Sequence, residues 1–154
     1  MSDKKISLDY ANDILFELEK AFWDERGKGA RFRVTTVGRG YFNANCAPLI
    51  KSTDILEMAR TIESPLKRDG IIGGMSVEKN ERVLRMRVEG CVHRSVEDRM
   101  VASGVRPFTC MIANQIVLAV EEKQDLPIEI VEIKLEEGAC HLQLVLFDKR
   151  AFIE

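Results

Sequence analysis

The strongest constraint in this sequence is a period of two near its C-terminal end. Cys140, Leu142, Leu144 and Leu146 recur at alternate positions, with His141 and Gln143 between them. Side chains of a strand point alternately to its two faces, so 139–147 is predicted to be a strand with one buried face. Residues 128–136 precede it across Glu137-Gly138, and the two arms predict a hairpin. The apolar phase of the first arm shifts between Ile130 and Val131, which predicts a bulge. A second hairpin is predicted from 71–77 and 82–90 around Glu78-Lys79-Asn80-Glu81. In its second arm Leu84, Met86 and Val88 share one face, and Arg85, Arg87 and Glu89 share the other. Hairpins impose antiparallel pairing.

Helical spacing accounts for much of the rest. Ser7 is placed as a cap, followed by Leu8, Ala11, Leu15, Leu18 and Phe22, which predicts a helix over 8–24 that Gly27 and Gly29 stop. Arg31 to Val37 alternates well enough for a short strand. Ser52 or Thr53 caps a second helix, with Ile55, Leu56, Ala59 and Ile62 on one face and Pro65 and Gly70 closing it. Ser95-Val96-Glu97-Asp98 resembles a capping box and opens a short helix ending at Gly104. Pro107 opens a longer one, with Met111, Ile112, Ile116, Ala119 and Val120 inward and an end near Gln124. The fold class expected is α+β, a mostly antiparallel sheet covered by helices. The 154 residues suit one domain, and the Gly-rich stretch 24–52 reads as a loop region within it.

Lys and Arg number 23 against 25 Asp and Glu, a net charge of −2. Nucleic-acid binding needs a basic excess, so no such partner is expected. No run of 18 apolar residues exists to span a membrane. Met1-Ser2-Asp3-Lys4-Lys5 leads straight into the first helix, so a cytoplasmic location is expected. With two His, no Ser/His/Asp set is arguable, and no acid pair stands out. Gly38-Arg39-Gly40 and the glycines of 70–74 read as turns, not phosphate loops. Arg82, Arg85, Arg87, Arg94, Arg99 and Arg106 read as a solvated face paired with nearby acids, or as an anion site.

Four Cys in such a chain are not expected to form a disulfide framework; they are buried small hydrophobes or ligands. Cys110 follows Pro107-Phe108-Thr109 in a first helical turn, where the helix dipole favours a thiolate. Cys140 lies in line with Leu142 and Leu144, a core pattern. Cys91 ends a strand just before a helix. Cys46 lies in a polar, small-residue loop, an unusual place for a core hydrophobe. His93, two residues after Cys91, would share its side of a strand. A quartet of Cys is the ligand set of an iron–sulfur cluster or a closed zinc site.

The element order over 53–147 resembles the 4-vinyl-reductase-like family of hydrocarbon- or small-molecule-binding domains. Arg87-Val88-Glu89-Gly90-Cys91 stands where the family's second strand ends. Cys110 opens the longer helix, and Glu132 and Cys140 fall in the closing hairpin. Leu135 replaces one usual cysteine, and Asn114 and Gln115 stand where the family tends to have Gly. The resemblance implies a ligand-binding fold shared with vesicle-tethering subunits, residues 1–52 being an N-terminal extension. It also implies a sensor domain, usually a homodimer and sometimes holding zinc, with no catalysis implied.

Three functions are therefore expected to compete. One is a binding module for a small hydrophobic molecule, with a pocket lined by Met58, Met86, Met111 and Ile116 between the longer helix and the sheet, signalling through a protein partner. A second is a redox or electron-transfer protein with an iron–sulfur cluster or zinc on Cys46, Cys91, Cys110 and Cys140, or with His93 in place of Cys46. The third, an enzyme acting on a tetrapyrrole or other hydrophobic substrate, lacks an acid–base set.

Overall fold

A computed structural model describes residues 5–32 and 34–147. Helix α1 (Leu8–Arg26) starts where Ser7 Oγ accepts from the Tyr10 N–H at 3.1 Å, and it ends at Gly27, whose φ is 58°. A 3-10 turn (Gly27–Phe32) follows. The strand expected over 31–37 does not form among the described residues, Arg33 lying outside them. Val34 to Gly38 make turns instead, with Val37 N–H on the Val34 carbonyl at 3.1 Å. The chain then coils through a one-turn helix α2 (Arg39–Tyr41), a π turn (Phe42–Cys46) and a 3-10 turn (Ala47–Leu49).

Helix α3 (Ile55–Arg68) is capped by Asp54, not by Ser52 or Thr53; Asp54 Oδ2 accepts from the Glu57 N–H at 3.0 Å. The Ser52 hydroxyl instead accepts from the Asp54 N–H. Pro65 lies in the last turns of α3 without ending it. The helix buries Ile55, Met58, Ala59, Ile62 and Leu66.

The first hairpin is tighter than expected. Strands β1 (Gly74–Asn80) and β2 (Val83–Glu89) pair from Gly74↔Glu89 to Asn80↔Val83, so only Glu81 and Arg82 form the loop. Glu81 takes the positive φ of 55° that such a loop requires. Helix α4 (Arg94–Ala102) has His93 at its cap with no side-chain capping bond. Helix α5 (Met111–Gln124) begins after Cys110, four residues later than Pro107 suggests. The second hairpin, β3 (Ile128–Glu136) and β4 (Ala139–Leu146), matches its expectation, and its register shifts between Ile130 and Glu132 as a bulge.

All strands are antiparallel, in the order β1-β2-β4-β3. Leu84, Met86 and Val88 of β2 and Leu142, Leu144 and Leu146 of β4 form one buried face beneath α3 and α5. Nine consecutive residues of α5, Ile112–Val120, are buried, so this helix is wrapped on all sides. Each such aliphatic side chain removed from water contributes roughly 1.5–3 kcal/mol. Helix α1 packs on α4 over a smaller cluster, in which Trp23 stacks on Phe108 with ring centroids 5.4 Å apart.

Candidate functional site

Two of the four cysteines lie at one end of the sheet, and a third caps α5. Strand β2 stops at Glu89, Gly90 turns the chain with a φ of 64°, and Cys91 follows. Cys140 is the second residue of β4 and pairs in register with Val88 of β2 and Leu135 of β3. Cys110 caps α5, its Sγ accepting from the Ala113 N–H at 3.5 Å. The Cys91 Sγ likewise accepts from the His93 N–H at 3.4 Å.

Helix α4 lays two charged side chains across this end. Arg94 donates to the Ala139 carbonyl at 2.8 Å and to Asp98 at 2.9 Å, and its positive charge bears on Cys140. Glu97 points the other way, into the protein. It is 9% exposed, and its Oε2 has no hydrogen-bond partner among the described residues. A buried, unpaired carboxyl oxygen is rare because desolvation costs it so much.

The electrostatics tie these groups together. Burial pushes the Cys91 thiol up to about 11, and the charges of Cys140 and Glu97 add to the rise. Burial drives Cys110 well above the usual thiol range, reinforced by Cys91 and Glu97. Cys140 is also raised, first by burial, with Arg94 opposing. Burial lifts Glu97 to about 8, aided by the charges of Glu19 and Asp98. The expectation of a thiolate at Cys110 is therefore corrected: desolvation outweighs the helix dipole, and these groups rest protonated at neutral pH.

The fourth cysteine lies apart. Cys46 is fully buried in the π turn and donates to Gln115 Oε1 at 3.6 Å. It faces the polar residues of α5 that fasten the loop region. Asn114 Nδ2 donates to the Val34 and Val37 carbonyls at 3.1 and 3.0 Å, and Gln115 Nε2 to the Gly38 carbonyl at 3.0 Å. Glu132 is exposed on β3. His93 Nδ1 lies 3.3 Å from Asn12 Oδ1. Among the described residues, no three His, Cys, Asp or Glu converge into a group able to hold a metal ion.

Met58, Met86 and Ile116 are each 1% exposed within the continuous core, while Met111 is partly buried at its margin. Two cavities lie elsewhere among the described residues. A groove of about 230 Å³ runs between α3 and β1, lined by Leu56, Ala59, Arg60, Met75 and Val77 among others. A space of about 20 Å³ lies near Phe108 and Asn114. The arginines are largely paired on the surface: Arg87 with Glu89, Arg94 with Asp98, and Arg99 with Asp13.

Sequence reasoning missed Glu97 and Asn12. Asn12 is buried on α1 and donates to the Val92 carbonyl at 2.8 Å and to Ser95 Oγ at 3.0 Å. In sequence, Glu97 is one acid among 25. Only the packing of α1 over α4 singles it out.

No family model matches the chain, and no curated protein matches it. Seven chains of solved structures match. One comes from a study of heme distortion in the H-NOX family, at 12% identity over 98% of this chain and 77% of that one, with a TM-score of 0.50. At that identity the likeness establishes a shared α+β fold. No helix among the described residues is long and apolar enough to cross a membrane.

Proposed function

We propose that this chain is a ligand-responsive binding module of the 4-vinyl-reductase-like kind, with its ligand site at Cys91, Cys110, Cys140 and Glu97. The observation that carries the reading is the buried, unpaired carboxyl oxygen of Glu97, whose charge bears on Cys91, Cys110 and Cys140. A polar enclosure left unsatisfied in this way marks a place where a partner group belongs. The solved chain that shares the fold comes from a study of heme distortion, and a heme is a bound small molecule, which supports a ligand-binding reading.

A heme does not fit this interior. Met58, Met86, Ile116 and Leu144 fill the space between the helices and the sheet. His141 faces outward and pairs with Glu136 at 3.0 Å, and His93 is engaged by Asn12, so neither is poised as an axial ligand. A four-cysteine cluster does not fit either, because Cys46 faces Gln115. The dimer belongs to this reading, with a second copy seated on the exposed α1 stripe of Leu8, Leu15 and Leu18, which recur at coiled-coil spacing.

Native mass spectrometry of the full chain, purified without oxygen, tests the site. A bound species at one per chain that Cys91→Ser removes is the expected result. A bare chain whose melting temperature responds to neither zinc nor the Cys91→Ser change would overturn it. Sedimentation tests the dimer: Leu18→Glu should yield monomers, and a wild-type chain that is monomeric at micromolar concentration would refute the interface.

A further inference from the structure

Strand β1 ends the sheet, with β2 on one side and no strand on the other among the described residues. The Met75 N–H donates to Glu63 Oε2 of α3 at 2.9 Å, so the backbone of Met75 points away from β2. Backbone groups of an antiparallel strand alternate in direction, so Val77 and Lys79 send their N–H and C=O the same way. Glu63 covers the first of these donors. Among the described residues, the N–H groups of Val77 and Lys79 meet no acceptor beyond the edge.

The groove of about 230 Å³ lies between this same edge and α3. Leu56, Ala59 and the half-buried Met75 and Val77 give it an apolar lining, with Arg60 and Glu63 as charged neighbours. Arg60 is exposed and enters no ion pair among the described residues. None of Cys91, Cys110, Cys140 or Glu97 lines the groove.

We infer that this edge and groove dock an extended, acidic segment of a partner protein, which adds to β1 as a further strand. The outward backbone groups of Val77 and Lys79 recur at about 6.8 Å, the two-residue repeat of a strand, so an extended backbone can bond both. On the α3 side of the added strand, one apolar side chain fills the groove, and an acid two residues away meets Arg60. A second copy of this chain lacks that acid. Its β1 carries Met75, Val77 and Lys79 in that phase, and an edge lysine discourages self-pairing. Glu63 already caps the Met75 N–H, so the added strand is short.

The test is fluorescence anisotropy with the full chain and a labelled, capped octapeptide in which threonine alternates with valine and glutamate. Comparison peptides replace glutamate by lysine, or carry N-methyl groups on the central amides. Wild type should bind the acidic peptide with a Kd below about 1 mM, at least tenfold more tightly than the lysine peptide. N-methylation should abolish binding, and the amide NMR signals of Val77 and Lys79 should shift on titration. Val77→Pro should weaken binding at least tenfold, and the sheet tolerates it because the lost N–H faces outward. Arg60→Glu, on the exposed side of α3, should reverse the preference between the two peptides, and it decides alone if Val77→Pro fails to fold. Equal affinity of wild type for both peptides would overturn the acidic segment. Binding that survives N-methylation, shifts confined to residues away from β1, or no binding at millimolar peptide would overturn strand addition. A dimer in sedimentation that Val77→Pro converts to monomer would give the edge to a second copy and overturn the partner.

Discussion

Asn12 of α1 donates its side-chain amide to the carbonyl of Val92, 2.8 Å away and one residue beyond Cys91. The same amide reaches Ser95, and its oxygen meets His93. One polar side chain therefore holds α1 against the segment that carries a site thiol. Asn12→Ala leaves the Val92 carbonyl without that partner in a part-buried place and should cost roughly 1–3 kcal/mol. Urea unfolding measures that loss. Proteolysis within α1 should rise with it, and an unchanged cleavage rate would show that Asn12 does not seat the helix.

Gly38 has a φ of 101°, and a Cβ there would lie 2.7 Å from Gln115 Nε2 and 2.9 Å from Met111 Cγ. Gly38→Ala combines backbone strain with a clash against the residue whose amide bonds the Gly38 carbonyl. The expected loss is roughly 2–4 kcal/mol. Chemical denaturation checks it, and a loss under 1 kcal/mol would mean that the loop rearranges freely.

The sheet was legible because its signals are local. Period-two alternation and the Glu137-Gly138 turn lie within twenty residues of each other, so nothing distant is needed to read β3 and β4. The stretch 34–49 was not legible, because its shape is imposed from far along the chain. Asn114 and Gln115 take the carbonyls of Val34, Val37 and Gly38 that a strand would have offered to a neighbour. The burial of Cys46 was illegible for the same reason, since it comes from α5. Cys91, Cys110 and Cys140 were each visible at the end of an element. The burial of Glu97 depends on α1 covering α4, which has no sequence signature.

The α1–α4 interface should make stability fall with rising pH. Burial raises Glu19 on α1 to about 7 and Glu97 on α4 to about 8, both above their unfolded values. The folded state then holds more protons than the unfolded one, so stability is lost as pH rises through 7 to 8. His93 is depressed by burial and acts with the opposite sign below its unfolded value, so the comparison belongs between pH 6.5 and 9. Across that window the metal-free chain should lose on the order of 1–3 kcal/mol. Glu19→Gln should flatten the profile; an equally steep profile in the variant would assign the effect elsewhere.

Cys46 separates packing from ligation. It is a small apolar filler within the core formed by Phe42, Ile50 and α5, and its thiol satisfies Gln115 Oε1. Cys46→Ala removes one buried sulfur and frees that amide oxygen, which should cost roughly 1–2 kcal/mol. The proposed ligand site at the other cysteines keeps its thiols, so the species bound there should match wild type within error. Cys91→Ala should show the reverse, with the bound species lost even if stability falls by a similar amount. Parallel unfolding and native mass spectrometry of the two variants decide the matter. Loss of the bound species in Cys46→Ala would return the fourth cysteine to the site.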